Sequence, residues 1–134
     1  MHARSLGIAV WLAAAPPAMA LDACLADSVG PWRGPVWNGA GLQTMDTTFQ
    51  AGADGTLVGR YRIHDFVPFD GTLTEMHQTG DCEADFVWND RDGTGIVHIR
   101  FEPQLGRFVG RWGTKEPLPG LEFNGYRRTP PPIS

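Results

Sequence analysis

The sequence predicts an all-β fold: a small antiparallel meander, rolled sheet or barrel of about seven strands with one disulfide. After residue 20, glycine, threonine, aromatic residues and turn dipeptides recur at short spacing, and no stretch has a convincing helical period. Two cysteines are present, an even pair that could form a bridge. Four segments also place a glycine in phase with large apolar residues: Leu57-x-Gly59-x-Tyr61, Phe69-x-Gly71-x-Leu73, Phe108-x-Gly110-x-Trp112 and Leu121-x-Phe123-x-Gly125.

The repeated glycines have a physical reason if these segments are strands. A strand has a period of two, so each run places its glycine and its large residues on one face. Glycine at such a position lets a sheet bend sharply, or lets an aromatic ring or another backbone come close. The repetition therefore predicts a strongly coiled antiparallel sheet and favours a small barrel.

The N-terminal segment has the layout of a secretory signal peptide. Arg4 precedes an apolar run from Leu6 to Ala15, and Ala18-Met19-Ala20 is a small-x-small cleavage site. The apolar run is too short to span a membrane as a mature helix. We therefore expect residues 1–20 to be removed and the protein to be periplasmic or secreted, with no membrane span.

Cleavage after Ala20 would leave one domain's worth of chain. Residues 21–128 are predicted to form a single β-barrel-like domain, and residues 129–134, with their triple proline, a disordered tail. An alternative exists at the same place, because Leu21-Asp22-Ala23-Cys24 has the outline of a lipoprotein box with Cys24 as the lipidated N-terminus. Asp22 is a poor residue for such a box, and a conventional cleavage site lies just upstream.

The alternation pattern places the strands in order along the chain. After an irregular opening over 21–34, with a short helical turn near Cys24, strands are predicted at 42–50, 56–64, 69–78, 82–89, 94–102, 107–113 and 121–127. Turn signals such as Ala53-Asp54-Gly55 lie between them. Because the connections are short, sequential strands should pair as a meander.

Alternation also separates a core face from an outer face. Leu57, Tyr61 and Ile63 share one side of their strand, while Arg60, Arg62 and His64 take the other. The same reasoning applied to each strand predicts a core of Phe49, Leu57, Tyr61, Ile63, Leu73, Phe86, Trp88, Val97, Ile99, Phe101, Phe108, Trp112 and Phe123. This core is large enough for a small domain and leaves little lining for a large cavity.

Cysteine and charge content restrict the compartment and the partners. An exported chain meets an oxidising environment, so Cys24 and Cys82 are predicted to form a disulfide. Removal of Arg4 from the 11 basic residues leaves 10 against 15 acidic residues, a net charge near −5. This acidic balance argues against nucleic acid as the general partner. The oligomeric state does not follow from the sequence.

Basic side chains on the non-core faces form one candidate protein-interaction surface. Its members are Arg60, Arg62, Arg100, Arg107 and Arg111, with His98 nearby. Clustered guanidinium groups suit the recognition of carboxylate, sulfate or phosphate groups. The alternative is that these are solvated outer faces interleaved with acids such as Glu102.

Catalytic and metal motifs are weak. The histidines with neighbouring acids could in principle bind zinc or copper, but their spacing matches no tight ligand motif; they are His64, His77 and His98 with Asp65, Asp81 and Asp85. The oxygen-rich turn at 89–93 suits a hairpin as well as calcium. Ser28 and Ser134 are the only serines after residue 20, and no Gly-x-Ser-x-Gly elbow is present. We therefore predict no catalytic residues, no metal, no cofactor and no enzymatic activity.

Trp32 and Trp37 lie in a glycine- and proline-rich segment ahead of the first predicted strand. Aromatic residues at a barrel mouth can stack on a sugar or an apolar ring. They can equally close the end of a barrel by packing. The sequence leaves both interpretations open and favours packing.

The stretch from Trp37-Asn38 through Gly41, followed by Ala51-Gly52-Ala53-Asp54-Gly55-Thr56-Leu57-Val58-Gly59-Arg60-Tyr61, resembles the first hairpin of the avidin family. That resemblance implies an eight-stranded up-and-down barrel that binds biotin in its mouth. It places Asn38 and Tyr61 at ligand-contacting positions, and Trp88 and Trp112 loosely as pocket tryptophans. The chain lacks the late tryptophan and aspartate of that family after Gly113. Gly30-Pro31-Trp32 similarly resembles the opening of calycin-like barrels.

The function predicted from these observations is non-catalytic binding of a small ligand at the barrel mouth. The expected contacts are Trp37, Asn38, Tyr61, Trp88 and Trp112. The alternative is a protein-interaction module, such as an inhibitor of an exported enzyme or an envelope-assembly factor. That module would use the arginine-rich face and open sheet edges.

Overall fold

Strands joined by short connections pair with their neighbours along the chain, and the computed structural model shows this arrangement over residues 21–114 and 120–128. A one-turn helix, α1 (Ala23–Ala26), precedes the sheet. The strands are β1 (Gly30–Trp37), β2 (Leu42–Ala51), β3 (Leu57–His64), β4 (Phe69–Gly80), β5 (Glu83–Asp90), β6 (Gly93–Glu102), β7 (Arg107–Gly113), β8 (Leu121–Glu122) and β9 (Gly125–Arg127). Short 3-10 turns occupy Ala53–Gly55 and Pro103–Leu105.

The sheet closes into an antiparallel barrel. Strands β1 to β7 pair in sequence, and β9 joins β7 back to β1, so eight strands form the wall while β8 is an additional short strand on β7. The predicted fold class, an all-β antiparallel barrel with one disulfide, is confirmed. Closure leaves no open edge around the wall, which removes the unpaired backbone groups of a free sheet edge.

The structure adds one strand to those predicted, because β1 occupies the segment expected to be irregular. All eight of its residues pair with β2. Pro31 and Pro35, which suppress a strand prediction, each accept a hydrogen bond at the carbonyl from the last segment of the chain. In an antiparallel strand the N–H and C=O of a residue point the same way. The missing N–H groups therefore face the short β9 side and leave the pairing with β2 intact.

The last predicted strand, 121–127, is interrupted. At Phe123 the backbone N–H donates to Gly110 on β7, and at Asn124 it donates to Pro35 on β1. The segment thus bridges its two neighbours instead of following one. An alanine Cβ at Gly34 would lie 2.4 Å from the Asn124 carbonyl oxygen, so only glycine permits this approach. The predicted signal peptide, the loop over 115–119 and the proline-rich tail lie outside the described residues.

The residues that face the barrel interior are mostly those that the alternation pattern predicted. Every predicted core residue is buried except Trp112, which is half-buried. The core also contains side chains that the sequence analysis left out, among them Leu25, Trp32, Val36 and Met45. Phe49 packs against three further rings with centroids 5.1 to 5.8 Å away: Phe86, Phe101 and Phe108. These four aromatic rings fill one half of the barrel.

The N-terminal segment closes that end of the barrel, which we call the base. Cys24 in α1 is bridged to Cys82 between β4 and β5, with Cα atoms 5.5 Å apart, as the sequence predicted. The bridge occupies the thiol that a lipid anchor on Cys24 would need, and it is compatible with an oxidising compartment. Leu25 is fully buried below the aromatic rings. No helix in the described part of the chain has the length and apolar character needed to cross a membrane.

Trp32 and the last strand tie the base together. The guanidinium of Arg127 lies 4.0 Å from the centroid of the Trp32 ring and donates hydrogen bonds to the carbonyls of Val29 and Asp27. The indole N–H of Trp32 donates to the Ser28 carbonyl at 3.0 Å. Trp32 is fully buried, so of the two interpretations considered for it, packing is the one that the structure shows.

On the outer face, Asp46 connects the first three strands. It accepts a bidentate pair of hydrogen bonds from Arg33 on β1, at 2.6 and 3.0 Å, and lies 2.7 Å from His64 Nε2 on β3. The hydrogen bonds from Arg33 lower the pKa of Asp46 to about 2, partial burial opposes this shift, and His64 adds to it. The cluster holds the proline-containing β1 against β2.

Removing the disulfide should destabilise the barrel without altering the opposite end. In the chain-entropy model, closing a loop of 58 residues contributes about 4 kcal/mol. Cys24→Ser combined with Cys82→Ser should lower the unfolding free energy by about this amount in denaturant titrations. A loss of less than about 1 kcal/mol would contradict the assigned role of the bridge.

Replacing Asp46 by Asn should lower stability by about 1 kcal/mol near neutral pH, because solvent screens this partly exposed pair. The pKa of Asp46 is depressed in the folded state, so its contribution is complete above about pH 4 and is lost as the pH falls through 2. Urea titrations across this range should show the difference from wild type shrinking. Asp54→Asn, at an exposed loop position whose positive φ suits Asn, is the control and should change the unfolding free energy by less than about 0.5 kcal/mol. A difference that is the same at both ends of the range would contradict the assignment.

Candidate ligand site at the barrel mouth

The end of the barrel opposite the base, which we call the mouth, is where β1, β3, β5 and β7 finish. Turns over 38–41, 65–68 and 91–92 border it. The large aromatic rings that fill the base do not extend into this half. A cavity of about 110 Å³ therefore opens at the mouth. It is lined by Val36, Trp37, Asn38, Tyr61, Ile63, Phe69, Trp88, Asp90, Asp92, Trp112 and Phe123.

Tyr61 owes its position to the glycine opposite it. Tyr61 on β3 pairs in register with Gly71 on β4, and an alanine Cβ at Gly71 would lie 2.1 Å from Tyr61 Cζ. The ring therefore lies flat across the Gly71 backbone and extends its hydroxyl to Asp90 at 2.7 Å. Burial and the hydrogen bond to Asp90 raise the pKa of Tyr61 well above its usual range, so the hydroxyl remains a donor.

Two tryptophans form a second wall of the cavity. Trp88 on β5 and Trp112 on β7 meet edge to face, with centroids 5.3 Å apart and an interplanar angle of 83°. The Trp88 indole N–H donates to the Gly113 carbonyl at 3.2 Å, and that of Trp112 donates to the Trp37 carbonyl at 2.8 Å. The second bond joins residues 75 apart in sequence and fixes the end of β1 beside β7.

Trp37 and Asn38 form the rim at the end of β1. Trp37 lines the cavity and keeps 36% of its surface exposed. The side-chain oxygen of Asn38 accepts hydrogen bonds from the backbone N–H groups of Ala40 and Gly41, and its Nδ2 donates to Asp65 at 3.2 Å. Asn38 therefore shapes the turn as well as lining the cavity.

The charged groups of the described mouth are mainly acidic. Asp90 accepts from Tyr61 and from the backbone N–H of Asp92, and both carboxylates line the cavity. Arg91 between them lies on the rim: its guanidinium is 3.9 Å from the centroid of Phe69, 3.6 Å from Asp65 and 3.8 Å from Asp92. The cavity wall thus carries carboxylates, while the neighbouring arginine is held on the rim.

The structure brings together all five residues that the sequence predicted as ligand contacts, because each lines this one cavity. Their role in binding stays a prediction. Sequence reasoning missed Val36, Phe69, Asp90 and Asp92. A signal for Asp90 was present, since it continues the period-two row of Phe86 and Trp88 onto the core face. The residues of the same segment also suit a hairpin turn, and the sequence analysis interpreted Asp90 as part of that turn.

The predicted arginine surface is divided by the fold into two separate groups. Arg60 and Arg62 lie on β3, whereas Arg100, Arg107 and Arg111 lie on β6 and β7, and strands β4 and β5 intervene. All five are exposed. Arg62 is paired with Asp70 at 2.7 Å, and both Arg107 and Arg100 approach Glu102, at 3.2 and 3.6 Å. Within the described residues these arginines form no single cationic patch.

The histidines lie in two places: His64 is on β3, whereas His77 on β4 and His98 on β6 both pair in register with Asp85 of β5. His64 is paired with Asp46, and His98 lies between Asp85 and Glu83 on the outer face of β5 and β6, at 2.7 and 3.3 Å. Among residues 21–114 and 120–128, no group of three or more His, Cys, Asp or Glu side chains is arranged to hold a metal ion.

Comparison of the chain with protein-family models, with curated proteins and with solved structures gives no significant match. The likeness to the avidin family therefore stays a resemblance of one stretch of sequence. Function is inferred below from the residues of the mouth themselves.

The packing of Tyr61 on Gly71 can be tested with a double-mutant cycle. Gly71→Ala should destabilise the wild type by about 1–3 kcal/mol, because the new methyl group displaces the ring. In a Tyr61→Ala background the ring is absent, and the same substitution should be neutral or slightly stabilising. Urea titrations of the four proteins provide the comparison. An equal cost in both backgrounds would show that Gly71 is required for another reason.

Proposed function

We propose that this protein is an exported, non-catalytic binding protein that holds a small ligand in the mouth of its barrel. The observation that carries the proposal is the contrast between the two ends: the base is filled by its own aromatic rings, and the mouth retains an open cavity lined by aromatic residues. Concave, mostly apolar sites with a few converging polar groups are the usual form of small-molecule sites.

The size of the cavity restricts the ligand. At about 110 Å³ it is smaller than typical drug-sized pockets and comparable to protein cavities that accept a single benzene ring. The ligand is therefore a one-ring or similarly compact group, or the terminal group of a longer molecule that extends through the open mouth.

The proposed location follows from the sequence. The N-terminal layout of a signal peptide and the Cys24–Cys82 bridge both support export to an oxidising compartment. In that setting a binding protein without catalytic groups would act as a carrier or a sensor of its ligand. Mass spectrometry of protein exported by a bacterial host tests the location through cleavage after Ala20, and native spectra test whether a small molecule is retained.

Binding at the mouth can be measured with one-ring compounds of neutral, acidic and basic character added to ¹⁵N-labelled protein. We expect the indole N–H signals of Trp37, Trp88 and Trp112 to shift, while that of Trp32 at the base stays in place. Trp37→Ala should weaken binding by about tenfold, the value of one aromatic contact.

Tyr126→Ala provides the matched control for Trp37→Ala. Tyr126 is an exposed aromatic residue on β9 near the base, paired in register with Arg107, and its loss should leave binding unchanged. If no compound of any charge shifts the mouth signals, or if Trp37→Ala binds as tightly as wild type, the proposed function is wrong.

A further inference from the structure

We infer that the mouth is selective for a small organic cation, an ammonium ion carrying a compact apolar or one-ring group. The inference rests on the proposed function, because it names the chemical class of the ligand for that same cavity. Three properties of the lining point to it: which hydrogen-bond donors are already used, which acceptors remain, and how many aromatic rings surround the cavity.

The deep donors of the cavity are already satisfied within the protein. The Tyr61 hydroxyl donates to Asp90, the Trp88 indole to Gly113 and the Trp112 indole to Trp37, at 2.7, 3.2 and 2.8 Å. A buried indole or phenol has only one N–H or O–H to give. In the described residues, the indole N–H of Trp37 on the exposed rim is the one aromatic donor of the lining without a protein acceptor. In the described lining, the side-chain N–H groups that remain, the Trp37 indole and the second N–H of Asn38 Nδ2, both lie at the rim, so the oxygen atoms of an anionic or carbonyl-bearing ligand would find few donors deeper in the cavity.

The acceptors of the cavity, by contrast, retain capacity. A carboxylate offers about four lone-pair positions. Asp90 uses one position for Tyr61 and one for the backbone N–H of Asp92, and Asp92 itself has only a distant contact of 3.8 Å with Arg91. Asp90 lies beside the apolar rings of the cavity, where an opposite charge interacts more strongly than in bulk water, whereas the Asp92 side chain is 61% exposed at the turn. The arrangement favours a ligand that brings positive charge and N–H donors.

The aromatic faces complete the site. Trp37, Tyr61, Phe69, Trp88 and Trp112 surround the same cavity. Tryptophan and tyrosine rings attract cations through their negative faces, and aromatic cages of this kind recognise ammonium groups. The protein already contains one such contact at the rim, where the Arg91 guanidinium lies over Phe69 at 3.9 Å. The Phe69 ring is therefore already occupied by a cation, and the positive charge of a ligand would be received by the other rings of the lining and by Asp90.

The test compares three compounds of one shape and different charge: benzylammonium, benzyl alcohol and benzoate. Affinities are measured by titration calorimetry and by the shifts of the indole N–H signals of the mouth. We expect benzylammonium to bind at least about tenfold more tightly than benzyl alcohol, and benzoate to bind more weakly than both. Benzyltrimethylammonium, which keeps the charge and lacks N–H groups, should also bind more tightly than benzyl alcohol.

Substitutions of single aspartates test which carboxylate gives the preference for a cation. Asp90→Asn preserves an oxygen that can accept from Tyr61 and should lower the affinity for benzylammonium about tenfold while leaving that for benzyl alcohol unchanged. Asp92→Asn, at an exposed turn, should have a smaller effect in the same direction and keeps the test available if Asp90→Asn does not fold. Asp54→Asn removes the same charge at the base and should change neither affinity.

The outcomes separate this inference from the function on which it rests. Binding of the three compounds with similar affinity, or preferential binding of benzoate, would overturn the cation assignment and leave a neutral or anionic ligand in the same mouth. Absence of binding by any of them, with the mouth signals unmoved, would overturn both. Equal effects of Asp90→Asn and Asp54→Asn would attribute the preference to net charge alone and would also overturn the assignment.

Discussion

An eight-stranded barrel has an interior just wide enough for its own side chains or for one small ligand, so the placement of large residues along its axis decides where space remains. Here four phenylalanines, Leu25 and Trp32 occupy the base. The disulfide holds α1, and the hydrogen bonds of Arg127 hold the backbone of Asp27 and Val29, at this half of the barrel. Because that half is solid, the cavity is confined to the mouth, and its walls are fixed by strands rather than by loops.

Glycines within the strands allow this division between a filled base and an open mouth. The Tyr61 ring occupies the space that a side chain opposite it on β4 would need, and glycine at position 71 removes this conflict. Because Gly71 has no side chain, the Tyr61 ring packs flat against its backbone. This packing directs the Tyr61 hydroxyl to Asp90. Local sequence pattern, core packing and site geometry are therefore consequences of one pairing. This coupling explains why a feature visible as simple alternation in the sequence predicts the shape of the barrel mouth.

Much of the fold could be predicted because alternation is strong where strands are half-buried. The strands from residue 42 to 113, most of the core and the Cys24–Cys82 bridge followed from period, turn residues and cysteine count. Strand β1 did not, because Pro31 and Pro35 are poor strand residues unless their missing N–H groups face an incomplete neighbour, which is a tertiary fact. The five aromatic and amide residues of the site could be predicted, but not the carboxylates. Asp90 and Asp92 also suit a hairpin turn, and sequence alone does not show that the row of Trp88 continues inward.

Charge is distributed differently on the two surfaces of the wall, and this difference bears on selectivity. On the outside, Arg33, Arg62 and Arg107 are paired with acids across or along strands, so that face is largely neutralised. At the mouth, Arg91 is held against Phe69 and Asp65, leaving Asp90 and Asp92 facing the cavity. The indole and phenol donors of the interior are directed to backbone and carboxylate oxygens that fix the barrel. The hydrogen bonds that hold the mouth in shape are therefore the same ones that leave it with acceptors and aromatic faces. A ligand carrying donors and positive charge complements what that stable structure leaves unsatisfied.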